Sequence, residues 1–150
     1  MIKFILLIIL PVVLGSQNEV TYTFHNYAAT FENAKLICQR EGGRIAVVTS
    51  KAVEDKLQRI FWSAAPIIGA YRRWNNQAFI GMQYSNGLWL TLDGKRPYIH
   101  WSRTWYGGQP SNPARQRCGS LLRQGAMDDV QCHVPLAFFC EKTLPKDYGY

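Results

Sequence analysis

Beyond residue 15 the sequence has no apolar run approaching the roughly 20 residues that a membrane-spanning helix requires. It has no Cys-x-x-Cys pair and no Cys/His spacing of the zinc kind, which argues against a structural zinc site. No repeat or low-complexity linker divides it, no heptad pattern supplies an oligomerising stalk, and no dense Lys/Arg run marks a nucleic-acid tract. No Asn-x-Ser/Thr sequon occurs. His25, His100 and His133 are scattered without nucleophile–base spacing, so catalysis is not expected. Acidic residues are the scarce charge, 10 against 17 basic, for a formal net charge of +7.

The N-terminus supplies what the rest withholds. Lys3 is a positive start, Phe4 to Leu14 is an apolar run carrying Pro11, and Val13 and Gly15 stand at the −3 and −1 positions of a cleavage point. This pattern predicts a signal peptide over residues 1–15 and export of residues 16–150 as one soluble, extracellular domain. Losing Lys3 leaves 16 basic residues against 10 acidic and a formal charge of +6. The basic excess gathers after residue 70, and such a surface favours anionic partners. Four cysteines, Cys38, Cys118, Cys132 and Cys140, read as two disulfides in an exported chain, with three pairings open.

Thr21 to Phe24 reads as a short β segment. Thr30 offers an N-cap to a helix carrying Phe31, Ala34, Ile37 and Cys38, and Gly42-Gly43 ends it. Ile45 to Val48 is a strand candidate. Ser50 caps a second helix whose apolar face is Val53, Leu57, Ile60 and Phe61, with Pro66 at or beyond its end. Phe79 to Met82 is a third strand candidate, Ser85-Asn86-Gly87 a turn, and Leu88, Leu90 and Leu92 alternate with Trp89, Thr91 and Asp93. From Pro97 to Arg117 no periodicity appears, although Trp101, Trp105 and Tyr106 lie there; so long a loop in a compact domain is expected to be functional. Leu136 to Cys140 closes the chain as a strand, followed by a short polar tail. Two helices and many short strands make an α+β domain.

In order, Phe31, Ala34 and Cys38, Gly43-Arg44-Ile45-Ala46, Phe79-Ile80-Gly81-Met82, Trp89 with Asp93-Gly94, Trp105 before Gln109-Pro110, Cys118, Cys132 and Phe139-Cys140-Glu141-Lys142 resemble the C-type lectin domain from about Tyr22 to Lys142. Phe79-Ile80-Gly81-Met82 is similar to the family's Trp-Ile-Gly-Leu motif. The resemblance implies a C-type lectin-like fold: two helices, small antiparallel sheets, a long structured loop and the bridges Cys38–Cys140 and Cys118–Cys132. In the chain-entropy model those bridges are worth roughly 4–5 and about 3 kcal/mol.

The resemblance also implies a binding site. In calcium-dependent members one Ca2+ on the long loop binds sugar hydroxyls, and the same side chains hydrogen-bond them. Here Gln109-Pro110-Ser111 is similar to the galactose-type triplet, Gln116 stands for a glutamate, and Met127-Asp128-Asp129 stands for Trp-Asn-Asp. The implied carbohydrate-binding residues are Gln109, Ser111, Gln116, Asp128 and Asp129, and the implied Ca2+ ligands Gln109, Gln116, Asp128 and Asp129. With two carboxylates left and Arg115, Arg117 and Arg123 near in sequence, any Ca2+ is expected to be weak. Trp89 and Trp105 are read as core aromatics. The expected partners are glycans or glycoconjugates on cell or microbial surfaces, with no nucleic acid. The alternative is a calcium-independent member that binds proteins, lipids or anionic polymers through Arg115, Arg117 and Arg123.

Overall fold

A computed structural model describes residues 18–145, so the expected signal peptide lies outside the described residues. In chain order the elements are β1 (Asn18–Ala29), α1 (Phe31–Arg40), β2 (Arg44–Ile45), α2 (Lys51–Ser63), β3 (Gln77–Ser85), β4 (Leu88–Thr91), β5 (Cys118–Leu122), β6 (Met127–Val130) and β7 (Leu136–Pro145).

Both helices start where the sequence places their caps. The Thr30 hydroxyl accepts from Asn33 N–H and the Ser50 hydroxyl from Val53 N–H, each satisfying one otherwise orphaned first-turn donor. Gly42, at φ +86°, turns the chain out of α1 in a conformation that costs a glycine little.

All the strands join one sheet of order β1-β7-β3-β5-β6, with β2 added to β7 and β4 to β3. The resemblance implies small antiparallel sheets, and here the short strands share one sheet. They merge because ten-residue β7 carries β1 along one edge and β2 and then β3 along the other, β3 in parallel. β1 is correspondingly longer than the Thr21–Phe24 segment, pairing with β7 from Asn18↔Pro145 to Ala29↔Leu136.

The strand expected over Ile45–Val48 is shorter. Only Arg44 and Ile45 ladder with β7; thereafter the chain bridges, Ala46 N–H donating to Phe139 C=O and Ala46 C=O accepting from Gly81 N–H at 2.7 Å. This close approach explains Gly81: a Cβ there would lie 2.7 Å from the Ile45 carbonyl oxygen.

The side-chain period of two divides the core between the two faces of the sheet. Phe79, Leu136, Phe138 and Val130 pack with Phe31, Ala34 and Cys38 of α1. Ile80, Met82, Leu121, Met127 and Phe139 pack with Leu57 and Phe61 of α2. Of the apolar face expected for α2, Leu57 and Phe61 are buried and Val53 and Ile60 half-buried. Glu54 is buried as well, at 2 % exposure, and its carboxylate lies 2.8 Å from His100 Nδ1. The bridges are Cys38–Cys140 and Cys118–Cys132. The first ties α1 to β7. The second, closing a separation of 14 residues, pins the start of β5 to the chain beyond β6.

Candidate functional site

The long loop is anchored along the outer edge of β6. Met127 N–H donates to His100 C=O, Ser102 N–H to Met127 C=O, and Gln109 N–H to Ser102 C=O. The Ser102 hydroxyl accepts from Trp105 N–H at 3.1 Å. The Gln109–Pro110 peptide is cis. Thus the loop has no periodicity of its own, yet its backbone is held at several points.

The sequence-expected residues come together, but not equivalently. Asp128 and Asp129 are consecutive on a strand, so their side chains leave opposite faces. Asp128 borders a cavity of about 160 Å³ together with Gln109, Ser111 and Gln116. Asp129, 1 % exposed, is absent from the cavity's lining and spends its carboxylate on the loop. Its Oδ1 accepts from Ser111 N–H at 2.8 Å and its Oδ2 from Asn112 N–H at 2.9 Å.

The Ser111 hydroxyl donates to Gln116 Oε1 at 2.7 Å. Gln109 Nε2 donates to the Trp105 carbonyl at 2.8 Å, which leaves Gln109 Oε1 buried with no hydrogen-bond partner. Native interiors rarely leave a polar atom in that state without a ligand or water to meet it.

Burial, and after it the charge of Asp129, pushes the Asp128 carboxyl up to about 7. The Gln77 amide, the Asp129 backbone and the Trp105 side chain offset part of that rise. Gln77 Nε2 nevertheless makes no hydrogen bond of standard geometry, while its Oε1 accepts from the buried Ser120 hydroxyl.

Aromatic rings complete the cavity. Trp105, read from the sequence as core, is only half-buried and lines the cavity beside Tyr106, the two rings meeting edge-on at 4.9 Å. The reason is local: Tyr106 adopts φ 45°, ψ 45°, left-handed for a bulky residue, and Gly107 and Gly108 continue at positive φ. This turn holds the Tyr106 ring out at 71 % exposure. Trp89, by contrast, packs on the second core cluster against Trp101.

Sequence reading missed two lining residues, Arg73 and Trp74, which arrive from a 3-10 turn before β3. The Arg-Arg-Trp run at 72–74 is the one local signal that could have drawn attention to them.

Arg123, expected as an anion contact, is a structural residue. Its Nη1 donates to the carbonyls of Phe61 at 2.7 Å and Ala64 at 3.2 Å, and its guanidinium sits 4.5 Å from the Phe61 ring centre. It therefore gives the Ala64 carbonyl a donor and adds a second one to the Phe61 carbonyl, which already accepts the Ala64 N–H. Arg117 Nε donates to Ala114 C=O, within the loop.

The only other grouping of potential metal ligands among the described residues is His25, Glu41 and Cys140, and Cys140 is consumed in a disulfide.

Comparison with known proteins agrees with this architecture. The family model described as the Lectin C-type domain matches residues 27–142. The hemolymph lipopolysaccharide-binding protein of Periplaneta americana is 32% identical over 127 residues, covering 82% of this chain and 49% of that protein, so the chain spans about half of that relative's length. The carbohydrate-recognition domain of the mouse scavenger receptor C-type lectin has a TM-score of 0.67 at 23% identity, covering 87% of this chain and 92% of that one. A calcium-independent type II antifreeze protein has a TM-score of 0.66 at 20% identity, covering 91% of this chain and 96% of that one. At those identities the two structures speak for the fold alone. With two thirds or more of its length matched to the family model, this chain belongs to the C-type lectin domain family.

Proposed function

We propose that the chain is an exported carbohydrate-recognition module that takes saccharides of cell or microbial surfaces directly into the cavity between Trp105, Tyr106 and the Gln109–Gln116 loop. The observation that carries this reading is the combination of an outward aromatic pair with a buried, unpartnered amide oxygen, Gln109 Oε1, at one cavity. Small-molecule sites join apolar walls to a few convergent polar groups in this way. A sugar has both kinds of surface: an apolar ring face to lie on Tyr106 or Trp105, and hydroxyls for Gln109 Oε1, Gln116 and Asp128. A relative named for lipopolysaccharide binding supports a microbial glycan.

The donor set does not fit a resident Ca2+. Such an ion takes six to eight oxygens. Both Asp129 oxygens accept backbone amides and Gln116 Oε1 accepts the Ser111 hydroxyl. Gln109 Oε1 and a single carboxylate, Asp128, remain, and a proton competes for that carboxylate up to about pH 7. No part of the binding is therefore routed through the metal.

A glycan array probed with and without EDTA tests both parts. Signal that survives EDTA and is lost in Tyr106→Ala is the expected result. Absence of signal on every glycan overturns the saccharide reading, whereas signal abolished by EDTA overturns only its calcium-free part.

A further inference from the structure

The stretch of chain that supplies this cavity is predominantly basic. Between Lys56 and Met127 the sequence carries ten basic residues and a single acidic one, Asp93. Asp93 is occupied elsewhere, 3.1 Å from the Arg44 guanidinium. Within the cavity the only lining carboxylate, Asp128, is 4 % exposed, so it lies deep. At the exposed rim stands Arg73.

Two features make Arg73 more than a solvated surface charge. Its guanidinium lies over the Trp74 ring, 4.9 Å from the ring centre, which limits its freedom, and both residues line the cavity. Among the described residues no carboxylate or carbonyl accepts a hydrogen bond from it, in contrast to Arg44, Arg117 and Arg123. A planar, pre-positioned donor fork without an acceptor matches the geometry of a carboxylate or a sulfate.

Resting on the saccharide reading above, we infer that the cavity selects acidic saccharides, with the guanidinium of Arg73 receiving a carboxylate or sulfate while the sugar ring lies against Trp105 and Tyr106. Arg73 is then the specificity-determining residue, and the chain's net positive charge favours the approach of such ligands. The acid group would stay near the rim, in water on one side and away from Asp128.

The test uses the disulfide-bonded protein on an array that displays matched neutral, carboxylated and sulfated forms of the same sugars at equal density. The expected result is about tenfold tighter binding of acidic forms, as for one charge-assisted pair, with the preference shrinking as salt rises. Comparing carboxylated with sulfated forms shows which acid is preferred. Arg73→Gln should bring the acidic-to-neutral ratio to about one and Arg73→Lys should keep part of it, with near-ultraviolet circular dichroism confirming the fold. Equal binding of neutral and acidic forms overturns the inference and leaves the saccharide reading standing. So does an acid preference that survives Arg73→Gln, or one that Arg115→Gln removes instead. Binding to no sugar at all removes both.

Discussion

Asp129 holds Ser111 in place: the buried carboxylate accepts the Ser111 backbone N–H at 2.8 Å and, through its other oxygen, the neighbouring amide of Asn112. A side chain that resemblance nominates as a ligand thus serves as the latch of the binding loop. Bonds to a charged acceptor contribute about 1.5–3 kcal/mol each, less when they act together. Asp129→Ala should cost roughly 2–4 kcal/mol, speed exchange of the Ser111 and Asn112 amides, and abolish saccharide binding. Asp129→Asn, which keeps one oxygen acceptor, should fall between. Unchanged amide exchange in Asp129→Ala would refute the latch.

Asp128 makes stability depend on pH. Its carboxyl is raised from 3.8 to about 7 by burial and by Asp129. Between those values the folded chain holds a proton that the unfolded chain has released, so this group's contribution falls as pH rises through the window and is fully lost above about 7. Asp128→Asn removes the effect, and should gain on the order of 2–4 kcal/mol over the parent at pH ~8 relative to pH ~4. Urea midpoints of both proteins in EDTA measure it, and taking the difference cancels the histidines. Parallel pH profiles would count against the shift.

Arg123 should behave as a helix cap. Replacing it with Met keeps the apolar stem over Phe61 but takes the donor from the Ala64 carbonyl and leaves the Phe61 carbonyl with the Ala64 N–H alone. A loss of about 1–3 kcal/mol is expected. Arg115→Gln, at an exposed position, should stay within about 0.5 kcal/mol of the parent. Thermal melts of the two variants separate the roles, and equal melting temperatures would show that Arg123 contributes nothing to α2.

Gly43→Ala should be among the most damaging changes to the fold. A Cβ at residue 43 would stand 1.9 Å from the Glu141 carbonyl oxygen, a backbone atom of β7 that cannot swing aside. The entry into β2 would have to shift, and with it Arg44↔Glu141 and Ile45↔Cys140. A penalty of about 3 kcal/mol or more is expected, in the range of severe core changes, read as refolding yield and melting temperature. A variant that melts within a few degrees of the parent would contradict it.

The features legible in the chain alone are those decided within a few residues. Thr30 and Ser50 cap helices because an i to i+3 bond needs no distant partner. Asn86-Gly87 turns because both residues adopt positive φ. The order of motifs carries the family and its two bridges, since that order is a property of the string.

Tertiary structure alone decided what depends on atoms far apart in sequence. Nothing in the sequence marks Glu54 as buried; its partner, the exposed His100, comes from 46 positions later. Arg123 reads as a ligand contact until the end of α2 presents the Phe61 and Ala64 carbonyls to it. Asp129 reads as the equal of Asp128 until the strand sends the two to opposite faces, one to the loop and one to the cavity. Sequence thus determined which groups this protein has available and which fold orders them. Only the packed chain determined which are already bonded to it and which stand free for a ligand, because a hydrogen bond is a matter of distance and direction that adjacency in the chain does not encode.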